Sequence, residues 1–479
     1  MNRSWLVIVA IPLCWPSARG SERPPNVVVI LADDLGARDL GVDGADLHET
    51  PNLDRLADQG VRFTQAYAMS VCSPTRAAIM TGKHAARLRM TIWREGALRT
   101  RDRTAPASKR LLPPLTVADL PHAETTLAEV LRARGYRTIH VGKWHLGDAT
   151  GYPETHGFDV NVGGTLWGAP ATYFHPFRGD RRFGGEYRYV PGLGPGAPGD
   201  YLTDRLTDEA LHAIDEAGDQ PFHLNLWYHS VHTPIEGKPE RVERYRARLK
   251  PEFHHQNPEY AAMVSSLDEN VGRVLRRLDE RGLTNDTLVI FLSDNGGFVG
   301  DFEGRPVTSN APLRSGKGSL YEGGIRVPTI VRWPGRAKPG ATCDVPVTCQ
   351  DLWPTVVEAV GAGDEIAKAR PDGLSLIPLL DDPRAALKRD ALYFHYPHEY
   401  ATTTPVSAIR AGDWKLLEYF EDGRVELYHL KDDPGESRDL ARVEPDRAET
   451  LRRRLARWRD DVGAQLPEPN PSYRNPPTR

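Results

Sequence analysis

A cysteine opens the run Cys72-Ser73-Pro74-Thr75-Arg76, and the residues behind it, Ala77-Ala78-Ile79-Met80-Thr81-Gly82, read as a helix. Pro74 falls in the first turn, where the N–H it lacks would have no intrahelical partner. A helix N-terminus carries unpaired N–H groups and partial positive charge, so anions are favoured there. Arg76 adds a planar fork of donors suited to a tetrahedral oxyanion. A reactive side chain over an anion cradle is an arrangement for group transfer. The bland alternative is a buried structural thiol, the commonest fate of a free cysteine.

Oxygen donors form the second chemical feature. Asp33 and Asp34 lie in Ile30-Leu31-Ala32-Asp33-Asp34-Leu35-Gly36, and Asp294 and Asn295 in Ser293-Asp294-Asn295-Gly296-Gly297. No thiolate or imidazole belongs to this set. Such donors suit a hard cation, and calcium tolerates irregular geometry better than magnesium. Either pair alone would be an ordinary turn. Lys143, in Gly142-Lys143-Trp144-His145-Leu146-Gly147, and Lys317, in Arg314-Ser315-Gly316-Lys317-Gly318, join Arg76 as cations that can hold transferring oxyanions. His145 and His232, the latter in His232-Thr233-Pro234, are acid/base candidates because imidazole titrates near neutrality. His229 competes with His232 for that role. His175, Arg178, His395 and His398 are weaker candidates for substrate contacts, the last two from a second domain over the cleft.

These residues need elements that bring them together. Asn26 to Ala32 is an apolar, β-branched run, and Thr138–Val141, Phe222–Trp227, Leu288–Leu292 and Thr329–Arg332 resemble it. Helical patterns intervene at Thr126–Arg134, Thr203–Glu216, Glu259–Arg281 and Trp353–Val360. The alternation predicts an α/β fold with a mainly parallel sheet covered on both faces. Four of the strands end in Asp33-Asp34, Lys143/His145, His229/His232 and Asp294-Asn295. Ligands of open α/β sheets gather at carboxyl strand ends, so one site can collect them all. Residues 163–199 read as a long irregular insertion. After a charged boundary at 381–390, short strands at Ala391–Tyr396, Ser407–Arg410, Trp414–Tyr419 and Glu426–Leu430 and a helix at Asp446–Trp458 predict a small antiparallel α+β unit. The expected division is 21–385 and 386–479, with an extended tail from Pro467.

The segment around Cys72 fits C-x-P-x-R and resembles the signature of the type I, formylglycine-dependent sulfatases. The Asp33-Asp34, Lys143/His145, His232-Thr233-Pro234, Asp294-Asn295 and Lys317 blocks, with Tyr321-Glu322-Gly323-Gly324, follow in that family's order and span residues 27 to 328. They are most similar to arylsulfatases and to sulfatases of N-acetylgalactosamine or galactose sulfates. The resemblance implies an alkaline-phosphatase-like sandwich. It also implies oxidation of Cys72 to formylglycine by a maturation enzyme, and one calcium ion held by Asp33, Asp34, Asp294, Asn295 and the modified Cys72. In such enzymes the aldehyde hydrate attacks sulfur to give a sulfo-enzyme intermediate. One hydroxyl attacks; the other, assisted by His145, lets the ester collapse to sulfate and aldehyde. His232, with Lys317, contacts the bridging oxygen. The expected substrate is a sulfated carbohydrate or aryl sulfate.

Composition sets the remaining limits. With 61 basic and 65 acidic residues among 479, the net charge of −4 implies no general attraction to nucleic acid or membrane surfaces. Residues 1–20 read as a secretory signal: Arg3, an apolar core from Leu6 to Trp15, and Ala18-x-Gly20 as cleavage site. Leu13 before Cys14 is too bulky for the usual lipoprotein signal. No later stretch reaches the ~18 apolar residues of a spanning helix. The chain is therefore expected to be secreted or periplasmic. Beyond Cys72, only Cys343 and Cys349 follow the signal, and a turn through Asp344 to Pro346 would permit a bridge between them. Two rivals remain open: a phosphate or phosphonate monoester hydrolase on the same fold, and a non-catalytic glycan-binding protein. A two-zinc phosphatase site would need more His and Asp ligands than these blocks supply.

Overall fold

The computed structural model describes residues 23–179 and 185–474. The expected signal segment 1–20 lies outside the described residues. Strand β1 (Asn26–Ala32) is wholly buried. Side chains alternate across a strand, so Val27, Val29 and Leu31 enter one apolar cluster while Val28, Ile30 and Ala32 enter another. Each fully buried Val, Leu or Ile contributes about 1.5–3 kcal/mol relative to an exposed one. A strand apolar on both faces can only be central.

The further strands of its sheet are β2 (Val61–Phe63), β3 (Arg137–Gly142), β4 (Val160–Val162), β5 (Phe222–Trp227), β6 (Thr287–Ser293), β7 (Thr329–Arg332) and β8 (Ala341–Cys343). Their order is β8-β2-β7-β6-β1-β5-β3-β4. The run β6-β1-β5-β3-β4 is parallel, whereas β7 pairs antiparallel with both β6 and β2. Helices α1 (Pro51–Asp58), α2 (Cys72–Thr81), α3 (Arg94–Arg99), α4 (Leu127–Ala133), α5 (Leu202–Ala217), α6 (Pro239–Arg246), α7 (Pro258–Glu280) and α8 (Leu352–Ala359) follow the chain. Helices α2, α4 and α8 pack on the Val27 face; α1, α5 and α7 pack on the Val28 face. The result is the alkaline-phosphatase-like sandwich.

A second, antiparallel sheet is made of β9 (Leu392–Tyr396), β10 (Val406–Ala411), β11 (Trp414–Tyr419) and β12 (Val425–His429). Ile409, Leu416 and Leu427 pack under α9 (Pro445–Val462). The opposite face, with Phe394, Tyr396 and Leu417, packs on Tyr67, Val71 and Tyr321 of the main body. Lys415 Nζ crosses this interface, 2.9 Å from both Glu322 Oε1 and Glu436 Oε1, with all three groups buried. In the tail, Glu468–Pro469 pairs with Leu111–Leu112. Cys343 and Cys349 form no disulfide; both thiols are free and buried.

Candidate active site

The carboxyl ends of β1, β3, β5 and β6, neighbours in the sheet, run into the polar blocks. Main-chain bonds carry the ladder past the strands: Asp33 N to Ser230 O (2.8 Å), Lys143 N to Trp227 O (2.7 Å) and Asp294 N to Ala32 O (3.1 Å). Gly142 has φ +105°, and a Cβ there would lie 2.1 Å from Trp227 O, so only glycine lets β3 turn Lys143 and His145 over the sheet edge. Asp34 (φ 62°) and His145 (φ 61°) sit in the left-handed region that non-glycine residues seldom adopt, as side chains held for function often do.

Asp33, Asp34, Asp294 and Asn295 form one buried ring. Asn295 Nδ2 donates to Asp34 Oδ1 (2.8 Å), and Asp34 N donates to Asp294 Oδ1 (3.2 Å). Arg76 Nε and Nη2 donate to Asp294 Oδ2 at 3.0 and 2.8 Å, and its Nη1 donates to Lys143 O at 2.8 Å. Lys143 Nζ lies 2.5 Å from Asp33 Oδ2, and Lys317 Nζ lies 2.7 Å from Asp34 Oδ1. Burial and the neighbouring Asp294 charge push Asp33 well above the usual carboxylate range. Burial also pushes Asp34 upward, but Lys317, His232 and the hydrogen bond from Asn295 together outweigh it and the carboxyl is held low. Asp33 Oδ1 and Asn295 Oδ1 are buried acceptors without a hydrogen-bond partner. Two orphan oxygens in an all-oxygen ring, with carboxylates repelling across it, fit a hard cation.

Cys72 stands on the first turn of α2, whose N-cap Val71 offers no side-chain cap. Its Sγ lies 3.4 Å from His145 Nδ1. Burial raises the thiol, yet Lys143 and His145 overcome it and bring it down to about 6. Ser73 Oγ donates to His145 O (2.9 Å) and accepts from Arg94 N (3.2 Å), tying α2 to α3. His145 Nε2 lies 2.6 Å from Glu95 Oε2. Burial works against a charged His145, but Glu95 and Cys72 prevail and raise its pKa. His232 differs: burial and the Lys317 ammonium hold it well below the ordinary value. Its Nδ1 faces Thr233 O at 2.8 Å, leaving Nε2 toward Asp34 Oδ2 at 3.7 Å.

Cys72, His145, His232 and Lys317 line one cavity of about 220 Å³, with Trp93, Glu95, Arg99, Arg188 and Tyr400 among its other walls. Arg76 and Lys143 are not on its wall but are bonded to the carboxylate ring, at Asp294 and Asp33. Four expected substrate residues are not brought there. His395 bonds to Ser407 Oγ (2.7 Å) and Gln465 O (2.8 Å), and His398 to Thr91 Oγ1 (2.8 Å), both as buried groups of the second sheet's packing. His175 packs edge-on against Phe177, and Arg178 is exposed on the insertion. Glu95, Arg99, Arg188, Trp93 and Tyr400 escaped sequence reasoning. Only the aromatic and basic bias of the long loops hinted at such a lining.

A strand-end site of this kind, with a buried cysteine, a ring of oxygen donors and two histidines on an alkaline-phosphatase-like sheet, fits an ester hydrolase of oxyanions. Residues 25–362 match the sulfatase family model, and the chain belongs to that family; it is a sulfuric ester hydrolase. Residues 316–461 also match the C-terminal model of N-sulphoglucosamine sulphohydrolase. The chain is 30% identical to a sulfatase of Formosa agariphila, over 92% of this chain and 89% of that protein. With N-acetylgalactosamine-6-sulfatase of Homo sapiens it shares 31% identity, over 85% and 75% of the two chains. The structure of Ps i-CgsB in complex with k-i-k-neocarrahexaose is similar at TM-score 0.77 and 27% identity, covering 95% of this chain and 96% of that one.

Proposed function

We propose that this sulfatase is exported, carries formylglycine at Cys72 and one calcium ion, and removes sulfate from a sulfated carbohydrate. The observation that carries the mechanism is Cys72 on the cavity wall, 3.4 Å from His145, with Lys317 of the same wall 2.7 Å from Asp34 in the ring of Asp33, Asp34, Asp294 and Asn295. Those four residues, with the modified Cys72, would hold the metal, which supplies Lewis-acid polarisation of sulfate oxygens. The hydrated aldehyde supplies one hydroxyl for attack and one for release.

The chain's own groups do the rest. Lys317 on the wall and Lys143, bonded to Asp33, fix the anionic ester by charge. His145, held by Glu95, faces the position of the Cys72 side chain and can move a proton there. The negative charge of a bound sulfate ester offsets the Lys317 ammonium and favours a protonated His232, so Nε2 carries a proton that the departing oxygen can receive. Trp93 and Tyr400, edge to face at 5.6 Å, offer apolar rings to a sugar, and Arg99 and Arg188 favour an acidic one. Support for a glycan also comes from the two relatives whose names carry galactosamine and neocarrahexaose. The division at 21–385 and 386–479 and export by residues 1–20 belong to the same proposal. Among the described residues no helix is long and apolar enough to cross a membrane.

The test is expression with and without a formylglycine-generating enzyme. The expected result is a Cys72 peptide with an aldehyde mass and no thiol, about one calcium per chain, a mature N-terminus at Ser21, and hydrolysis of nitrophenyl sulfate far above nitrophenyl phosphate. Full activity with an unmodified Cys72 thiol, or two zinc ions with phosphate preferred, overturns it. A panel of defined sulfated mono- and disaccharides then identifies the sugar.

A further inference from the structure

On the Val28 face, away from the catalytic cavity, Asp39, His48 and His255 converge, all buried. They come from three separate segments: the loop after β1, the loop before α1 and the loop before α7. Asp39 Oδ1 lies 3.5 Å from His48 Nδ1 and 3.2 Å from His255 Nε2. The same His48 nitrogen faces the Asp39 main-chain oxygen at 3.3 Å, so ligation through it takes the His48 tautomer whose proton is on Nε2. A tetrahedral zinc site with bonds of about 2.0–2.1 Å has donor–donor edges of about 3.3–3.4 Å. We infer that these residues form a second metal site, for a borderline divalent cation such as Zn²⁺, ligated by Asp39, His48 Nδ1 and His255 Nε2.

His255 carries the inference. Its Nδ1 lies 2.6 Å from Asp46 Oδ1, a carboxylate that can only accept, so Nδ1 carries a proton and Nε2 is the ring's ligating atom. A metal ion there displaces the second proton, which Asp39 and Asp46 favour on this ring. That Nε2 is buried and makes no hydrogen bond, although Asp39 Oδ1 is close by. With the Nε2 proton displaced, a 3.2 Å spacing of nitrogen and carboxylate oxygen is the edge expected between two ligands of one ion. A carboxylate behind a ligating histidine is also the usual outer support of such an ion. Asp46 is itself fixed by His254 N (2.6 Å) and His255 N (3.2 Å). Asp39 is equally prepared: Oδ2 accepts from Gly36 N (2.6 Å) and Tyr260 OH (2.7 Å), and Oδ1 accepts from Thr308 Oγ1 (2.9 Å). His48 lines a surface cavity of about 590 Å³, which gives an ion a way in.

The donor sets also separate the metals. Imidazole nitrogen suits zinc and its neighbours, whereas the all-oxygen ring at Asp33, Asp34, Asp294 and Asn295 suits calcium. An ion at Asp39 would pin the 33–40, 45–50 and 253–258 segments together. Tyr260 OH, which holds Asp39, also lies 3.3 Å from Asp34 O, so the pinned loop is the one bearing the catalytic carboxylates.

The test uses the purified full chain, stripped with chelator, reloaded with excess calcium and titrated with Zn²⁺ by calorimetry and elemental analysis. Wild type and Asp294→Ala should each take up about one zinc per chain, because the active-site ring is not involved. The double variant His48→Gln/His255→Gln should lose that equivalent, with affinity falling about 100-fold or more, against about 10-fold for Asp46→Asn, which only orients His255. Circular dichroism establishes that the variants are folded. Should the double variant not fold, Co²⁺ added to the calcium-loaded wild type decides the matter. Visible bands of four-coordinate cobalt with nitrogen ligands support the site, and their absence overturns it. Zinc uptake equal in wild type and folded double variant, or none in wild type, also overturns it.

Discussion

Glu95 and His145 share a 2.6 Å contact, and each shifts the other toward its charged form. If Glu95 acts only by holding His145, the two residues are one unit. Glu95→Gln should lower kcat by about 10- to 100-fold with the fold intact, within the range for acid–base groups. Adding it to His145→Ala should then cost little more. Steady-state rates of both singles and the double decide this; losses that multiply would show that Glu95 acts on the substrate directly. His232 is separable by leaving group. His232→Ala should damage turnover of an alkyl or sugar sulfate severely but nitrophenyl sulfate much less, because nitrophenolate departs with little proton assistance. Equal losses on both substrates would reject the role of His232 Nε2 at the departing oxygen.

At the level of elements, the central strands were legible because buried parallel strands have no polar face to hide. Phe222–Trp227 and Thr329–Arg332 were read with the bounds that the structure has. Their polar endings were legible for the same reason, as abrupt breaks in apolar runs. Glu95 was not. Its helix, Arg94–Arg99, is too short for a periodic signal, and a glutamate in its first turn looks like any exposed one. His395 and His398 misled in the other direction, since imidazoles beside aromatics look like a cleft lining but here complete core hydrogen bonds. Lys415 on β11 gave no signal either, although it joins the second sheet to the Glu322 segment beside Lys317. Lys415→Met leaves Glu322 and Glu436 buried and facing each other, which should cost about 3–5 kcal/mol. Chemical denaturation should show the loss. Lys415→Met/Glu322→Gln/Glu436→Gln should regain much of it, and a triple variant no more stable than the single would place the cost in lost packing instead.

For the whole molecule, pH links burial to stability through histidines that fold as neutral rings. Burial holds His84 and His156 at about 4 and His140, His223, His395 and His398 at about 3. In the unfolded chain each returns to about 6.5. As pH falls through about 6.5 the unfolded chain takes up protons that the folded one refuses, so stability is present above that value and lost toward acid. Each such histidine contributes up to about 1.4 kcal/mol per pH unit once its unfolded form is protonated. Glu436, pushed up to about 7 by burial, and Asp33, raised by burial and Asp294, work the other way, but they are outnumbered by the six histidines. Ordinary carboxylates titrate lower, so the window from pH 6.5 to 5 belongs to the histidines. Melting temperature at constant calcium should therefore fall steadily across that window. His156 offers a control, since neither ring nitrogen has a hydrogen-bond partner among the described residues. His156→Leu should leave stability at pH 7.5 little changed, because its ring is already an uncharged packing group against His122 and Trp144. The same variant should flatten the acid slope by about one proton, or about 1.4 kcal/mol per pH unit. A melting temperature flat from pH 6.5 to 5, or a His156→Leu variant with the wild-type slope, would mean that these rings are protonated in the fold and paired with carboxylates.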